Sequence, residues 1–233
     1  MKVKNIFILA AMSLTLASCS DLFEPAEENN RGLDEIYNEP TYAQGLLGYG
    51  YSMLPYNTKS VTDVATDDAV SNDLTNGYLK MATGSWTANN DPMSKWTSGR
   101  ASIQYLNIFL QEVDKVNWAK DENARKMYCD SRKGEAYALR ALNLYYLLMN
   151  HGGWTADGKL LGVPNLTEPE SSTDDFNKPR NTFQECLDQI YSDLDEAAKL
   201  LPLDYNDLTD DNAVPAKYKE IGVKTAGDYN RVF

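Results

Sequence analysis

Histidine is almost absent: His151 is the only one in 233 residues. A single imidazole cannot build a histidine-rich metal site. His151 follows the end of a helical pattern, where a positive imidazolium interacts well with the helix dipole, so a structural role suits it better than a catalytic one. Cysteine is scarce too. Of three, Cys19 stands apart near the N-terminus, and Cys129 and Cys186 show no C-x-x-C spacing that would suit zinc or redox chemistry. Both fall on helical patterns and are expected to pack as buried free thiols. The chain has no Gly-rich phosphate loop and no Gly-x-Ser-x-Gly elbow. Basic residues are outnumbered, 22 Lys and Arg against 34 Asp and Glu, which gives a formal net charge of −12. An acidic surface repels phosphate backbones and anionic lipid headgroups, so nucleic acid is not an expected partner. Polar residues break the longest apolar stretches before they reach the roughly 18 residues a membrane span needs.

What is present begins with a leader. Lys2 and Lys4 precede an apolar run from Ile6 to Leu16, about half of what a bilayer requires, so residues 1–18 read as a signal peptide. Leu16-Ala17-Ser18-Cys19 resembles a bacterial lipobox, in which the cysteine is acylated and becomes the first mature residue. Two or three acyl chains anchor a protein to a membrane where one does not. Residues 19–39 follow as an acidic, proline-broken stretch, which suits a lipidated tether better than a packed element. They also look like the acidic export signal of surface lipoproteins. Cutting at Cys19 removes Lys2 and Lys4 and takes the charge to −14.

From residue 40 the periodicity is helical. Thr41 can cap a helix to about Leu54 whose Gly45, Gly48 and Gly50 weaken it by roughly 1 kcal/mol each, which suggests close helix contact in compensation. Tyr56 to Asp91 reads as a long loop, of a length that is usually functional or disordered. A second helix runs from about Ser94 to Val116. The central one, Arg132 to Trp154, is apolar on nearly every face and so should have neighbours all round, with Tyr145 and Tyr146 in the core. Trp96 is also expected in the core. Thr182-Phe183-Gln184-Glu185 is a capping box opening a fourth helix. Phe183, Cys186, Leu187, Ile190, Leu194, Ala197 and Leu201 form its apolar stripe, while Glu185, Asp188, Asp193, Asp195 and Lys199 face water. An apolar helix, a loop and an amphipathic helix ending in Leu-Leu-Pro resemble one tetratricopeptide-like unit. The expected fold is all-α, with tetratricopeptide-like helical hairpins and long loop-rich insertions, residues 40–233 forming one helical domain that is incomplete at its C-terminus.

These pieces together resemble the SusD/RagB family of nutrient-binding outer-membrane lipoproteins. The matching residues are Leu16-Ala17-Ser18-Cys19 with Asp21-Leu22, the Tyr49-Gly50-Tyr51 helix, and Trp96 with Ile103, Asn107 and Leu110. Gly134 to Ala141, Tyr145-Tyr146, and Asp193 to Ala197 with Leu201-Pro202 complete them. The Glu135-Ala136-x-x-Leu139-Arg140-Ala141 run is the strongest single piece. One departure stands out: Gly162-Val163-Pro164 comes only after an insertion containing Trp154. Family members are about twice as long, so the chain looks like an N-terminal portion. The resemblance implies a surface lipoprotein in the outer membrane that captures oligosaccharide and sits as a lid on a SusC-like TonB-dependent transporter.

For carbohydrate capture the candidates are Trp86 and Asn89, a flat ring and an amide on one irregular stretch, where stacking and directed hydrogen bonds can cooperate. In starch-binding members of the family a tryptophan and an asparagine occur at this spacing on the corresponding loop. Tyr78, nearby, is the third candidate. The alternative is that Trp86 pins the loop to the core. Asp67, Asp68 and Asp73, and Asp210, Asp211 and Asn212, could offer oxygen to calcium, but Asx turns explain them more simply. No cofactor is therefore called for, with calcium as the one alternative. Two rival functions remain. A tetratricopeptide-like protein scaffold needs no glycan site. A surface glycoside hydrolase needs two opposed carboxylates about 5 to 10 Å apart, and acidic pairs are too plentiful here to point to one. The expectation is a binding protein, not an enzyme.

Overall fold

A computed structural model describes residues 37–54, 62–87, 89–201 and 216–220. The expected leader, the lipobox-like tetrad, most of the expected tether and Asp210 to Asn212 lie outside the described residues. The helices are α1 (Pro40–Ser52), α2 (Gly77–Ala82), α3 (Trp96–Glu112), α4 (Glu122–His151), α5 (Phe183–Leu200) and α6 (Ala216–Glu220). The only strands among the described residues are β1 (Gly153–Trp154) and β2 (Leu160–Leu161), an antiparallel pair. The fold is all-α, as the sequence suggests. No helix among the described residues is long and apolar enough to cross a membrane.

Local chemistry sets the helix ends. Thr182 and Glu185 form the expected capping box at the start of α5, satisfying two orphan donors reciprocally. Asp121 caps α4 by accepting from the Ala124 N–H at 2.8 Å, so α4 begins at Glu122 and not at Arg132. The stretch expected to be one long loop contains α2 and a 3₁₀ turn, Thr62–Ala65, among its described residues.

α3 and α5 each run antiparallel to α4. His151 at the end of α4 meets the start of α3, where its Nε2 accepts the Lys95 N–H at 3.3 Å. A Cβ on Gly134 would lie 2.6 Å from Leu201, and one on Gly152 would lie 3.2 Å from Phe183, which places α5 against the whole C-terminal half of α4. α1 lies on the first half of α4 and the second half of α3. Of its three glycines only Gly50 sits at a close approach, with Leu106 2.9 Å from where a Cβ would stand; Gly45 and Gly48 face open space. Compensation by tight packing therefore holds for Gly50 alone.

Two apolar clusters result. One joins Ala43, Leu47, Leu106, Phe109, Val113, Val116, Trp118, Ala136 and Leu139; the other joins Ile103, Ala141, Leu144, Leu147, Leu148, Val163, Leu166, Cys186 and Ile190. Arg140 lies between Leu139 and Ala141, and Asn107 beside Leu106, so the seam between the clusters is polar. Arg140 donates from Nε and Nη2 to the two carboxylate oxygens of Asp193, at 2.8 and 2.6 Å. Its Nη1 donates to Asn107 Oδ1 at 2.8 Å and to the Thr167 carbonyl at 3.2 Å. Asn107 Nδ2 donates to the Leu166 and Glu168 carbonyls, both at 3.0 Å. One guanidinium thus ties α3, α4, α5 and the 166–168 backbone into a unit.

Asp193 was expected on the water-facing side of α5; it is instead 2% exposed, because the turn that aims Ile190 and Ala197 at α4 also aims residue 193 at Arg140. Its neighbour Leu194, expected in the stripe, is 43% exposed. α4 is likewise not covered all round. Leu142, Tyr145 and Met149 are exposed and Tyr146 is half-buried, so the tyrosine pair lies outside the core.

Both thiols in the described residues are free. Cys186 is fully buried and accepts the Val163 N–H at 3.4 Å. Burial pushes the Cys129 thiol up to about 12, helped by its hydrogen bond to the Asp114 carboxylate. Neither should react with Ellman's reagent at pH 8 in the folded mature protein, since the thiolate is the nucleophile. Both should react in guanidinium, and a rapid native reaction would show that the helices around them open readily.

Candidate functional site

The candidate loop is built from α2 onward. Asn76 Oδ1 accepts the Tyr78 N–H at 2.9 Å and starts the helix. Tyr78 is therefore half-buried on α2 and not on a loop. The helix ends in a Schellman pattern: Ser85 N–H donates to Lys80 O at 2.8 Å and Gly84 N–H to Met81 O at 3.0 Å. Gly84 holds φ +76°, which a residue without Cβ adopts freely. Trp86 is the next residue but one, so the cap sets where it leaves the helix.

A turn then closes between Thr87 and Asn90, whose N–H donates to Thr87 O at 2.9 Å. Asn90 Nδ2 donates back to Ser85 O at 3.0 Å. Asn89 lies in that turn and is exposed. Trp86 is 58% exposed, so it does not pin the loop to the core. Pro92 approaches Gly77 so closely that a Cβ there would lie 2.8 Å away, which folds the loop back against the start of α2. Trp86, Asn89 and Tyr78 thus share one pinned segment, with the ring and the amide outward and the phenol half-covered.

The loop leads into the start of α3, where Trp96 and His151 meet edge to face at 5.4 Å between ring centroids. Trp96 is 41% exposed, not in the core, and the Arg100 guanidinium lies over its ring at 5.2 Å from the centroid. Burial pushes the His151 imidazole below its ordinary pKa. It is a neutral acceptor there, in place of the imidazolium expected at a helix end. Asp73 Oδ1 accepts the Thr75 N–H at 2.9 Å and the Thr75 hydroxyl at 2.6 Å, an Asx turn. Among the described residues no group of three His, Cys, Asp or Glu is placed to hold a metal ion.

The sequence did not single out a groove of about 530 Å³ lined by Asn107, Leu110, Gln111, Thr167, Glu168 and Pro169. It lies where the strap after α4 crosses α3. Gln104 and the Glu170 backbone exchange two hydrogen bonds of 2.8 Å, and Arg100 Nη2 meets the Glu170 carboxylate at 3.2 Å, which holds that strap in place. Residues far apart in sequence make the groove, so no local motif announces it.

Residues 32–217 match the model of a SusD-like family described as starch-binding and associating with the outer membrane. The chain belongs to the SusD-like family. A SusD-like protein of Formosa agariphila is 27% identical over 219 residues, which cover 89% of this chain and 40% of that protein. The crystal structure of a SusD-like protein from Bacteroides fragilis superposes with a TM-score of 0.57 at 20% identity, over 76% of this chain and 33% of that one. That likeness bears on the fold alone. The chain thus spans about 40% of the length of the curated relative it matches.

Proposed function

We propose that this protein is a cell-surface lipoprotein that captures oligosaccharide and delivers it to a SusC-like TonB-dependent outer-membrane transporter. The observation that carries the reading is Trp86, held exposed by a capped helix and a closed turn beside Asn89, in a chain of a family described as starch-binding. A tryptophan face offers area and flatness to the apolar face of a pyranose, and an amide offers both donor and acceptor to ring hydroxyls. No catalytic step is proposed: capture needs only affinity, and incubation with polysaccharides should release no reducing ends. Affinity electrophoresis through starch, xylan, pectin and laminarin gels tests the capture. Retardation in at least one supports it, and free migration in a wide panel overturns it.

Anchoring belongs to Cys19, the acceptor of the lipobox-like tetrad. Alkyne-palmitate labelling is expected to mark the wild type and leave Cys19→Ala unmarked and released from the outer-membrane fraction. Equal labelling of both would remove the anchor from the proposal.

A second reading, a tetratricopeptide-like scaffold for protein partners, is favoured by one observation. Leu142, Tyr145 and Met149 of α4 and Tyr191 and Leu194 of α5 are exposed large apolar residues. Exposed apolar residues on two packed helices offer a surface for contact with other protein. Recovery of a transporter from glycan-free membranes, lost on Tyr145→Glu with Tyr191→Glu while gel retardation persists, would assign that face to the partner and the Trp86 loop to the glycan.

A further inference from the structure

Two of the four tryptophans belong to one end of the helical body, and a third lies in the segment that leads into it. Trp86 and Trp96 precede or open α3, Trp154 follows α4, and His151 joins the two termini through its contacts with Lys95 and Trp96. The fourth, Trp118, lies after the far end of α3, is 9% exposed and donates its indole N–H to Val113 O at 3.0 Å. Trp154 is 74% exposed, more than any other tryptophan in the molecule.

Its mount is rigid. Trp154 pairs with Leu160 across β1 and β2, and the Thr155 N–H donates to Lys159 O at 2.8 Å to continue the ladder. Gly158 takes φ +79° at the tip, a position open to glycine. The Thr155 hydroxyl donates to Asp157 Oδ1 at 2.5 Å and also accepts the Lys159 N–H at 3.1 Å, and Lys159 Nζ meets Asp157 Oδ2 at 2.8 Å. The base is clamped by Arg180, which donates to the carbonyls of His151, Leu161 and Gly162 at 2.9, 3.0 and 2.6 Å. A tryptophan that merely filled space would be buried, because burying a large ring is favourable. Here a short hairpin, tied at tip and base, holds the ring out in water, with half-exposed Leu160 opposite and charged, hydrogen-bonding Asp157 and Lys159 on the same turn.

We infer that Trp154 is a second aromatic contact for a carbohydrate chain, separate from the Trp86 loop. The inference rests on the capture reading above. A sugar polymer suits the arrangement because it offers a repeated apolar ring face edged by hydroxyls, so one chain can meet a ring at each mount. Residue 86 can lie no more than about 30 Å from Lys95, the reach of nine residues of chain. A polymer can bridge such a gap, and a short oligosaccharide can occupy one ring only. Two linked contacts raise overall affinity without any new chemistry at either.

The test uses the full-length mature protein on starch, xylan, pectin and laminarin, each as polymer and as trisaccharide, with affinity electrophoresis for the polymers and calorimetry for the trisaccharides. Trp154→Ala is expected to weaken binding to the retarding polymer about threefold to tenfold, to leave trisaccharide binding at the wild-type value, and to keep the wild-type melting curve. Trp154→Phe should restore part of the loss. If no carbohydrate binds the wild type, the capture reading itself fails. If Trp86→Ala loses binding while Trp154→Ala retains wild-type retardation in the polymer gel, capture stands and this inference is overturned. A loss on the trisaccharide equal to that on the polymer would also overturn it, since both rings would then form one site.

Discussion

Asp193→Ala is expected to lower the unfolding free energy of the mature protein by about 3–5 kcal/mol, the range seen when one partner of a buried ion pair is removed. Asp193 is 2% exposed and takes two hydrogen bonds from Arg140, and Gln189 Nε2 donates to it at 3.0 Å. Deleting the carboxylate leaves a guanidinium desolvated between two apolar clusters, with Asn107 and the Thr167 carbonyl as its remaining partners. Asp193→Asn keeps the volume and one acceptor but no countercharge, so it should fall between wild type and Ala. Leu194→Asp, one residue on, is expected to stay within about 1 kcal/mol, because an exposed site does not desolvate the new charge. Urea unfolding monitored by circular dichroism separates these outcomes through the midpoint at constant slope. A Leu194→Asp loss larger than that of Asp193→Ala would invert the face of α5 described here.

That pair of neighbours shows where the sequence could be read and where it could not. The capping box at Thr182 placed the start of α5, and the period from Phe183 to Leu201 overran its end at Leu200 by one residue, because both signals are local. The same period placed Asp193 in water, since an acidic residue at the edge of a stripe reads as solvated unless its partner is known. Arg140 lies 53 residues away in sequence, and the pairing arises only once α4 and α5 are side by side. The core placement of Tyr145 and Tyr146 failed for a related reason. An apolar helix announces that it has neighbours, but not which faces they cover. The Trp86 loop was legible as a ring and an amide three residues apart, whereas its exposure depends on the Schellman cap at Gly84 and the turn at Asn90. The hairpin carrying Trp154 was seen only as an insertion before Gly162-Val163-Pro164, because two-residue strands lack the length for an alternating pattern.

Trp86→Ala is expected to remove most measurable glycan affinity, and Trp86→Phe to retain part of it. The ring is exposed and its loop is held by backbone hydrogen bonds, so the substitution removes contact area without disturbing the mount. Stacking depends on area and flatness, which phenylalanine supplies in smaller measure. Asn89→Ala should weaken binding less. A typical hydrogen bond contributes roughly 1 kcal/mol net, which corresponds to about a fivefold loss. Tyr78 is half-buried on α2, so Tyr78→Phe separates its hydroxyl from its packing and should lower affinity only if that hydroxyl reaches the sugar. Calorimetry on the polysaccharide fragment that retards the wild type measures all four. Wild-type affinity in Trp86→Ala, with an unchanged melting curve, would move the capture site away from this loop and leave the exposed ring without a glycan to hold.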